Sequence, residues 1–263
     1  MSIGFRRAVG TLAFLGIGLL WPTSPSLAQE SGPECRPSAP VAPTPGRSVS
    51  IDRGPSECPT VSLTFDAGSD RGYAELILDI LRDNGVPASF GMTGVWAQEN
   101  PDLIARMALE GHEFINHTWN HASFTGNSTR RGPLSVDLRR NQLERTESLI
   151  SQMTGLSTMP MFRPPYGDLD NGVLRDVADA GYDYTIMWTV DSLGWNKLPA
   201  RQIIDRCLIR ADAGVIYIFH VGIESEDGLA LQGIIDGLRQ RGLGFVRISD
   251  MLGLPMRAAG IPD

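Results

Sequence analysis

Seven short apolar runs, separated by longer amphipathic segments, constrain the fold of this chain more than any other feature. Several runs are apolar at nearly every position, which is typical of strands buried on both faces of a parallel sheet. The runs lie at residues 61–65, 88–92, 113–116, 159–163, 185–189, 215–219 and 245–248. Helices are predicted near residues 72–84, 101–110, 135–154, 171–180, 200–212 and 228–241, and most of them end at a glycine. Repeated strand–helix units predict right-handed parallel crossovers and an α/β fold.

The polar residues that follow these runs discriminate between two α/β architectures. Asp66, His117, Arg163, Asp191 and His220 each stand at or just beyond the end of an apolar run. Functional residues at the carboxyl ends of many successive strands are typical of a β/α barrel. A doubly wound open sheet, the alternative, gathers them around one switch point. We therefore predict a deformed, incomplete (β/α)7 barrel that resembles a TIM barrel.

The ends of the chain predict an exported protein. Two arginines precede an apolar stretch at 8–21 that is short for a membrane span, and Ser26-Leu27-Ala28 fits a signal-peptidase site. An uncleaved anchor is the alternative. The predicted segments are a signal peptide at 1–28, a Pro-rich linker at 29–57, a folded domain at 58–255 and a C-terminal tail at 256–263. After cleavage we expect no stable membrane span and a secreted or periplasmic protein.

The charge of the chain argues against one class of partner. The formal net charge is −7, and it becomes −9 when the two arginines of the leader are removed. An acidic exported protein without a basic stripe is a poor binder of nucleic acid. We therefore expect no nucleic-acid partner.

Three cysteines leave the disulfide pattern open. In an oxidising compartment one pair could form among Cys35, Cys58 and Cys207, which would leave one thiol. A Cys35–Cys58 bond would pin the linker to the domain, whereas Cys58–Cys207 would join the first strand to a late helix. None of them is close to a histidine cluster in sequence, so a catalytic thiol is not expected.

Several residues in these clusters have side chains suited to hydrolysis. His117 and His121 are four residues apart, a spacing that lets two imidazoles ligate one cation in a helical turn or a tight loop. Asp66 could be a general base, a metal ligand or only the cap of a turn. Arg163 precedes two prolines that fix its backbone, and it could keep a carboxylate ionised. His220 could be an acid beside a carboxylate, or a core histidine bonded to a carbonyl.

Five short motifs give the chain a resemblance to a known family. They are TFDAG at 64–68, HTWNH at 117–121, RPPYG at 163–167, DSLGW at 191–195 and IFH at 218–220. Over about residues 58–250 the chain resembles the polysaccharide deacetylases, also called the NodB-homology family or carbohydrate esterase family 4. The resemblance implies a deformed β/α barrel and a hydrolase that removes N-acetyl groups from an amino-sugar polymer, such as peptidoglycan or a chitin-like glycan.

The resemblance also implies roles on one side of the site. His117 and His121 would hold a divalent metal, usually Zn²⁺, that polarises the acetyl carbonyl and a bound water. Asp66 would be the base that activates the water, and Arg163 would orient Asp66. The backbone amide of Tyr166 would help to stabilise the oxyanion.

On the other side, the resemblance implies an acid and a substrate wall. His220 would protonate the leaving amine, with its proton affinity tuned by Asp191. Trp195 and Leu193 would shape the pocket that receives the acetyl group.

One position departs from the family pattern and opens alternatives. Ala67 stands where the family usually has a second aspartate, the third protein ligand to the metal. Asp70 could replace it, Asp66 could ligate, or water could complete a weaker site. Two alternative functions follow. The chain could be a non-catalytic carbohydrate-binding protein, or a C–N hydrolase of small amides on the same barrel.

Overall fold

The computed structural model describes Met1 and residues 40–260 of the chain. Nearly all of the predicted signal peptide, the first part of the predicted linker and the last three residues lie outside this part. Within it, the helices are too short or too polar for any of them to cross a lipid bilayer.

The strands form one parallel sheet. They are β1 (Val49–Ile51), β2 (Thr60–Ala67), β3 (Ser89–Met92), β4 (Glu113–Asn116), β5 (Met161–Phe162), β6 (Tyr184–Ile186), β7 (Val190–Asp191), β8 (Ile216–His220) and β9 (Gly244–Phe245). Their order is β1-β6-β5-β4-β3-β2-β8-β7, and β9 pairs with the start of β2. All of these pairings are parallel.

This strand order confirms the predicted incomplete barrel. Strands β2 to β6 lie side by side in chain order, whereas a doubly wound sheet reverses its order at a switch point. The edge strands β1 and β7 do not pair with each other in the described part of the chain. The sheet therefore curls without closing, and its gap falls between the two edge strands.

Helices follow most of the strands. They are α1 (Ala74–Asn84), α2 (Gly94–Glu99), α3 (Pro101–Leu109), α4 (Val136–Thr154), α5 (Asn171–Asp179), α6 (Ala200–Ile209), α7 (Asp227–Arg239) and α8 (Ile248–Leu252). All six predicted helices are present, and the short helices α2 and α8 were not predicted. Helix α8 takes up the end of the strand predicted at 245–248, because Ser89 Oγ and Glu113 Oε1 accept hydrogen bonds from the amides of Ile248 and Ser249.

The predicted domain boundaries are too narrow at both ends. Residues 49–51, assigned to the linker, form β1 and pair with β6. Val41, also in the predicted linker, donates its amide to the carbonyl oxygen of Leu252. In the predicted tail, Ala258 forms an antiparallel bridge with Leu156. The contacts of these flanking segments are with distant residues, so local sequence patterns carry little sign of them.

The cysteines of the described chain settle one of the two alternatives. Cys58 is disulfide-bonded, and Cys207 is free and buried. This excludes a Cys58–Cys207 bond. The other candidate partner, Cys35, lies outside the described residues.

Along the central strands, side chains of the hydrophobic core alternate with side chains that face the predicted site. Phe65 pairs in register with Phe90 and Phe219 on the neighbouring strands, and its ring centroid is 5.3 Å from each of theirs. These rings belong to the cluster that packs against α1 and α7. Successive side chains of a strand point to opposite faces, so Asp66 and His220 face the barrel interior instead. The sequence order Phe-Asp and Phe-His therefore fixes which side chains enter the site.

Candidate functional site

Asp66 and Arg163 form a buried ion pair at the carboxyl end of the barrel. Arg163 Nη1 donates to Asp66 Oδ1 at 2.8 Å and to Thr64 Oγ1 at 2.9 Å, and its Nε donates to the carbonyl of Ile186. The arginine side chain has no exposed surface and that of Asp66 is 6% exposed. The predicted contact is therefore present, and these bonds hold Arg163 in one orientation.

The surroundings of Asp66 favour its charged form. Burial alone would raise its pKa, but the guanidinium of Arg163 brings the pKa below the ordinary value of an aspartate. A carboxylate beside a fixed cation stays ionised at neutral pH. Gly91, opposite Asp66 on β3, leaves room for the carboxylate, since a Cβ at position 91 would lie 2.2 Å from Asp66 Oδ1. A glycine inside a strand is a signal of such close approach, and sequence reasoning did not use it.

The two histidines lie on a tight loop and not on a helical turn. The loop follows β4, where Asn116 Oδ1 accepts the amide of Thr118 at 3.0 Å. His117 Nδ1 lies 2.9 Å from the carbonyl oxygen of Arg163, so Nδ1 carries the proton and Nε2 keeps its lone pair. The ring centroids of His117 and His121 are 4.9 Å apart. Burial, the largest cause, lowers the pKa of both imidazoles, that of His121 to about 3.

These imidazoles fit a divalent cation as part of a ligand set. A neutral imidazole with one nitrogen bonded to a carbonyl and the other free is the form that binds metals. Asp66 Oδ2 lies 3.5 Å from His117 Nε2 and is the carboxylate oxygen closest to this pair in the described contacts. No group of three His, Cys, Asp or Glu residues with the geometry of a metal site occurs in the part of the chain that the structure describes.

The candidates for the missing third ligand are placed differently. Asp70, the proposed replacement, accepts the amide of Ile223 through Oδ1 at 2.9 Å. Ala67 is buried in the apolar cluster that faces the helices. Of the three alternatives that Ala67 opened, the contacts thus favour Asp66 or water over Asp70.

Backbone strain is concentrated at the predicted site. Thr118, His121, Tyr166 and Leu193 have φ between 60° and 68°, the left-handed region that non-glycine residues rarely adopt. Each such residue costs on the order of 1–3 kcal/mol, and this strain persists mainly where function requires the geometry. The side chain of His121 meets that of Tyr166 edge-on at 4.6 Å between ring centroids. The backbone amide of Tyr166 donates no hydrogen bond within the described chain, so it is available to a ligand.

His220 and Asp191 do not form the predicted pair. Strand β7 ends with Asp191 opposite Ile218, two residues short of His220 along β8, or roughly 6–7 Å of strand. Asp191 instead accepts from Trp195 Nε1 at 3.1 Å and from the Leu193 amide at 2.8 Å. The prediction that Asp191 is the partner of His220 is therefore wrong. Asp191 instead holds Leu193 and Trp195, the residues predicted to form the substrate wall.

The carboxylate beside His220 is Asp227, which sequence reasoning missed. Asp227 Oδ2 lies 3.9 Å from His220 Nδ1 and accepts the His220 amide at 2.8 Å. Asp227 is completely buried at the first position of α7. Burial raises its pKa against the effect of its hydrogen bonds. In the sequence Asp227 is the last residue of the acidic segment ESED at 224–227. Such a segment is typical of a solvent-exposed helix start, so it carries no clear indication of a buried functional carboxylate.

The wall of the site is open. Tyr166 and Trp195 are 53% and 54% exposed, which is unusual for large aromatic side chains. Leu193 is half-buried beside them. Exposed aromatic side chains around a site suit a long ligand that lies across the surface better than a small molecule enclosed in a pocket.

The chain is similar to known proteins over most of its folded part. Residues 53–185 match the family model described as polysaccharide deacetylase. The chain is 30% identical over 196 residues to the peptidoglycan-N-acetylmuramic acid deacetylase PdaA of Bacillus subtilis, across 73% of this chain and 71% of that protein.

Solved structures share the fold. The Bc1960 peptidoglycan N-acetylglucosamine deacetylase is 28% identical with a TM-score of 0.72, covering 79% of this chain and 94% of that one. BA3943, a CE4 family pseudoenzyme from Bacillus anthracis, is 27% identical with a TM-score of 0.69, covering 81% and 70%. A mutant of BA3943 has restored enzymatic activity.

Proposed function

The chain belongs to the polysaccharide deacetylase family, hydrolases of carbon–nitrogen bonds, and we propose that it removes N-acetyl groups from an amino-sugar polymer of the peptidoglycan or chitin type. The observation that carries the proposal is Asp66, which Arg163 keeps ionised beside the neutral imidazoles of His117 and His121. Relatives named for peptidoglycan substrates and the open aromatic wall support a polymer over a small amide.

Asp66 is the general base in this proposal. Its Oδ1 is occupied by Arg163, whereas Oδ2 faces His117 and can take a proton from water. A positioned base of this kind contributes about 10²–10⁴-fold to a hydrolysis rate. Arg163 acts through Asp66, because four of its five N–H groups are bound within the protein and its side chain has no exposed surface.

His117 and His121 would hold the metal, which we expect to be Zn²⁺. When bound there, a divalent cation supplies positive charge that polarises the acetyl carbonyl. With Ala67 in place of a third ligand, we expect the affinity to be lower than that of a complete three-ligand site.

The remaining residues complete the reaction from the opposite side. The amide of Tyr166, held by its strained backbone, can donate to the carbonyl oxygen as it gains charge. His220, whose side chain is 31% exposed, can donate a proton to the leaving amine. Asp191 fixes Trp195 as a wall against which a sugar can lie, with Leu193 at the acetyl pocket.

We propose that the protein acts outside the cytoplasm. Its leader has the pattern of a signal peptide, and polysaccharide substrates of relatives belong to the cell wall. Cleavage after Ala28 would leave a secreted or periplasmic enzyme. N-terminal sequencing of the exported protein tests the cleavage.

The test of function is release of acetate. Purified protein is stripped with a chelator, reloaded with Zn²⁺ or another divalent metal, and incubated with N-acetylated chito-oligosaccharides and with peptidoglycan fragments. We expect acetate from at least one substrate. His117→Ala and His121→Ala should lower both the metal content and acetate release, while Asp236→Asn on exposed α7 surface should change neither. Absence of acetate with every metal and substrate would overturn the proposal.

A second candidate is a carbohydrate-binding protein without catalysis. Ala67, the lack of a three-residue metal group in the described chain and the similarity to a pseudoenzyme favour it. It predicts glycan binding that His117→Ala does not weaken, with no acetate release by the wild type. Gain of activity in Ala67→Asp alone would indicate a lost third ligand.

A further inference from the structure

We propose that Asp227 is the positioning residue of His220, and that Gly194, which has no Cβ, leaves the space that the Asp227 carboxylate occupies. The inference rests on the proposed function, in which His220 donates a proton to the leaving amine. It assigns the task expected of Asp191 to a residue on a different element, at the start of α7.

Two unpaired polar atoms lie on these neighbouring side chains. His220 Nδ1 and Asp227 Oδ1 are both buried and have no hydrogen-bond partner in the described chain. A buried polar atom without a partner costs about 1–3 kcal/mol. Nδ1 is 3.9 Å from the other oxygen of the same carboxylate, so a shift of about 1 Å would bring the two side chains to hydrogen-bond distance. Catalytic hydrogen bonds are often long without substrate and tighten when it binds.

The carboxylate is already fixed through its other oxygen. Asp227 Oδ2 accepts from the His220 amide at 2.8 Å, from Ser225 Oγ at 2.8 Å and from Ser192 Oγ at 3.0 Å. With three donors already on Oδ2, the unpartnered Oδ1 is the oxygen with capacity left for Nδ1–H once the imidazole has moved toward the carboxylate. A proton held on Nδ1 leaves Nε2 to exchange a proton with the substrate.

Gly194 makes this arrangement sterically possible. A Cβ at position 194 would lie 2.5 Å from Asp227 Oδ1 and 2.2 Å from Ser225 Oγ, far inside van der Waals contact. The φ of Gly194 is not in the left-handed region, so an L-residue could adopt its backbone. The glycine of the DSLGW motif is therefore required for space and not for conformation. The same geometry means that a carboxylate carried by residue 194 would enter the space that Asp227 now fills.

Both oxygens of Asp227 have a task, so the amide variant is informative. An asparagine has one acceptor oxygen, which can serve either the three donors or His220 Nδ1, but not both. We expect Asp227→Asn and Asp227→Ala to lower kcat for acetate release by about 10–100-fold, with KM within about two-fold. Asp236→Asn, an exposed carboxylate of the same helix, is the matched control and should leave both constants unchanged.

Relocation of the carboxylate separates positioning from helix stability. We compare Asp227→Ala/Ser225→Ala with the triple variant that adds Gly194→Asp, after thermal unfolding has shown that both are folded. Recovery of about ten-fold or more in kcat is expected, because the new carboxylate enters the vacated space. If kcat stays low in the triple variant although both proteins are folded, or if Asp227→Asn keeps full kcat, Asp227 does not position His220.

A spectroscopic readout keeps this test independent of the proposed function. In ¹⁵N spectra of the imidazoles, with His220 assigned from the signal lost in His220→Gln, we expect a protonated Nδ1 in the wild type. In Asp227→Ala the Nε2–H tautomer should gain population. An unchanged tautomer overturns the inference even in an inactive protein, whereas a wild type without acetate release but with the expected shift overturns only the deacetylase function.

Discussion

The two ends of the barrel hold the same kinds of buried groups and use them in opposite ways. At the carboxyl end, Asp66 lies beside His117; at the amino end, Glu113 begins β4 next to His112. All four are buried. The pKa of Asp66 is lowered, whereas burial raises the pKa of Glu113 despite its hydrogen bonds from Ser89 and Ser249.

The difference comes from the partners and not from burial. Asp66 has a guanidinium at 2.8 Å, and its second oxygen faces an imidazole lone pair. Glu113 has neutral donors on Oε1, and it serves to cap helix α8. Likewise His117 keeps Nε2 free for a ligand, while His112 Nδ1 accepts the amide of Ala88. A fixed cation therefore distinguishes a reactive carboxylate from a structural one of equal burial.

The largest expected effect is a difference in kcat/KM when a carboxyl group is replaced by an amide at the carboxyl end and at the amino end of the barrel. Asp66→Asn should lower kcat/KM for acetate release by at least about 100-fold, because the base is lost. Glu113→Gln should leave kcat/KM within about two-fold of the wild type. Steady-state assays of both purified variants, beside their thermal unfolding, measure this. Equal losses in the two variants would show that the two ends do not differ in the way argued above.

The barrel and most of the active end could be predicted from the sequence, because their signals are local. Apolar runs mark the central strands, and Phe65-Asp66 and Phe219-His220 place a core ring and a polar group on opposite faces. The resemblance to the polysaccharide deacetylases assigned Arg163 to Asp66, and the two side chains are in contact.

The rest depends on contacts that no local pattern encodes. Asp227 reaches His220 only because α7 starts against β8 and Gly194 leaves space. Strand β1 is three residues long in a Pro-rich context and exists through its pairing with β6. Helix α8 takes up the last residue of the strand predicted at 245–248, because Ser89 and Glu113, far away in sequence, accept hydrogen bonds from its first amides. These contacts at the amino end thus escaped prediction, although the residues that make them include Ser89 and Glu113, which are as buried as those of the site.

A smaller effect is expected from the histidine of the amino end. Burial, more than any other cause, lowers the pKa of His112 to about 4, below its value of 6.5 in the unfolded chain. Its contribution to stability is therefore complete above pH 6.5 and is lost as the pH falls toward 4, by up to about 3 kcal/mol. His112→Asn keeps an acceptor for the Ala88 amide but cannot be protonated in this pH range. Its unfolding free energy should therefore lack the loss that protonation of His112 causes between pH 6.5 and pH 4.

Denaturant unfolding of wild type and His112→Asn at pH 7, 5.5 and 4 measures this difference. The unfolding free energy of the wild type should fall more steeply toward pH 4. Parallel curves would mean that His112 is as easily protonated as an exposed histidine.

The smallest effect tests whether Glu113 is a neutral structural group. Its folded pKa is raised, so the stability it contributes is present below its unfolded pKa and is lost as the pH rises through the folded pKa. Glu113→Gln keeps the acceptor for Ser89 and Ser249 and cannot ionise. The variant should match the wild type near pH 4 and become the more stable protein as the pH rises. Unfolding free energies over pH 4–8 measure this, and a constant difference would show that Glu113, like Asp66, is held as an anion.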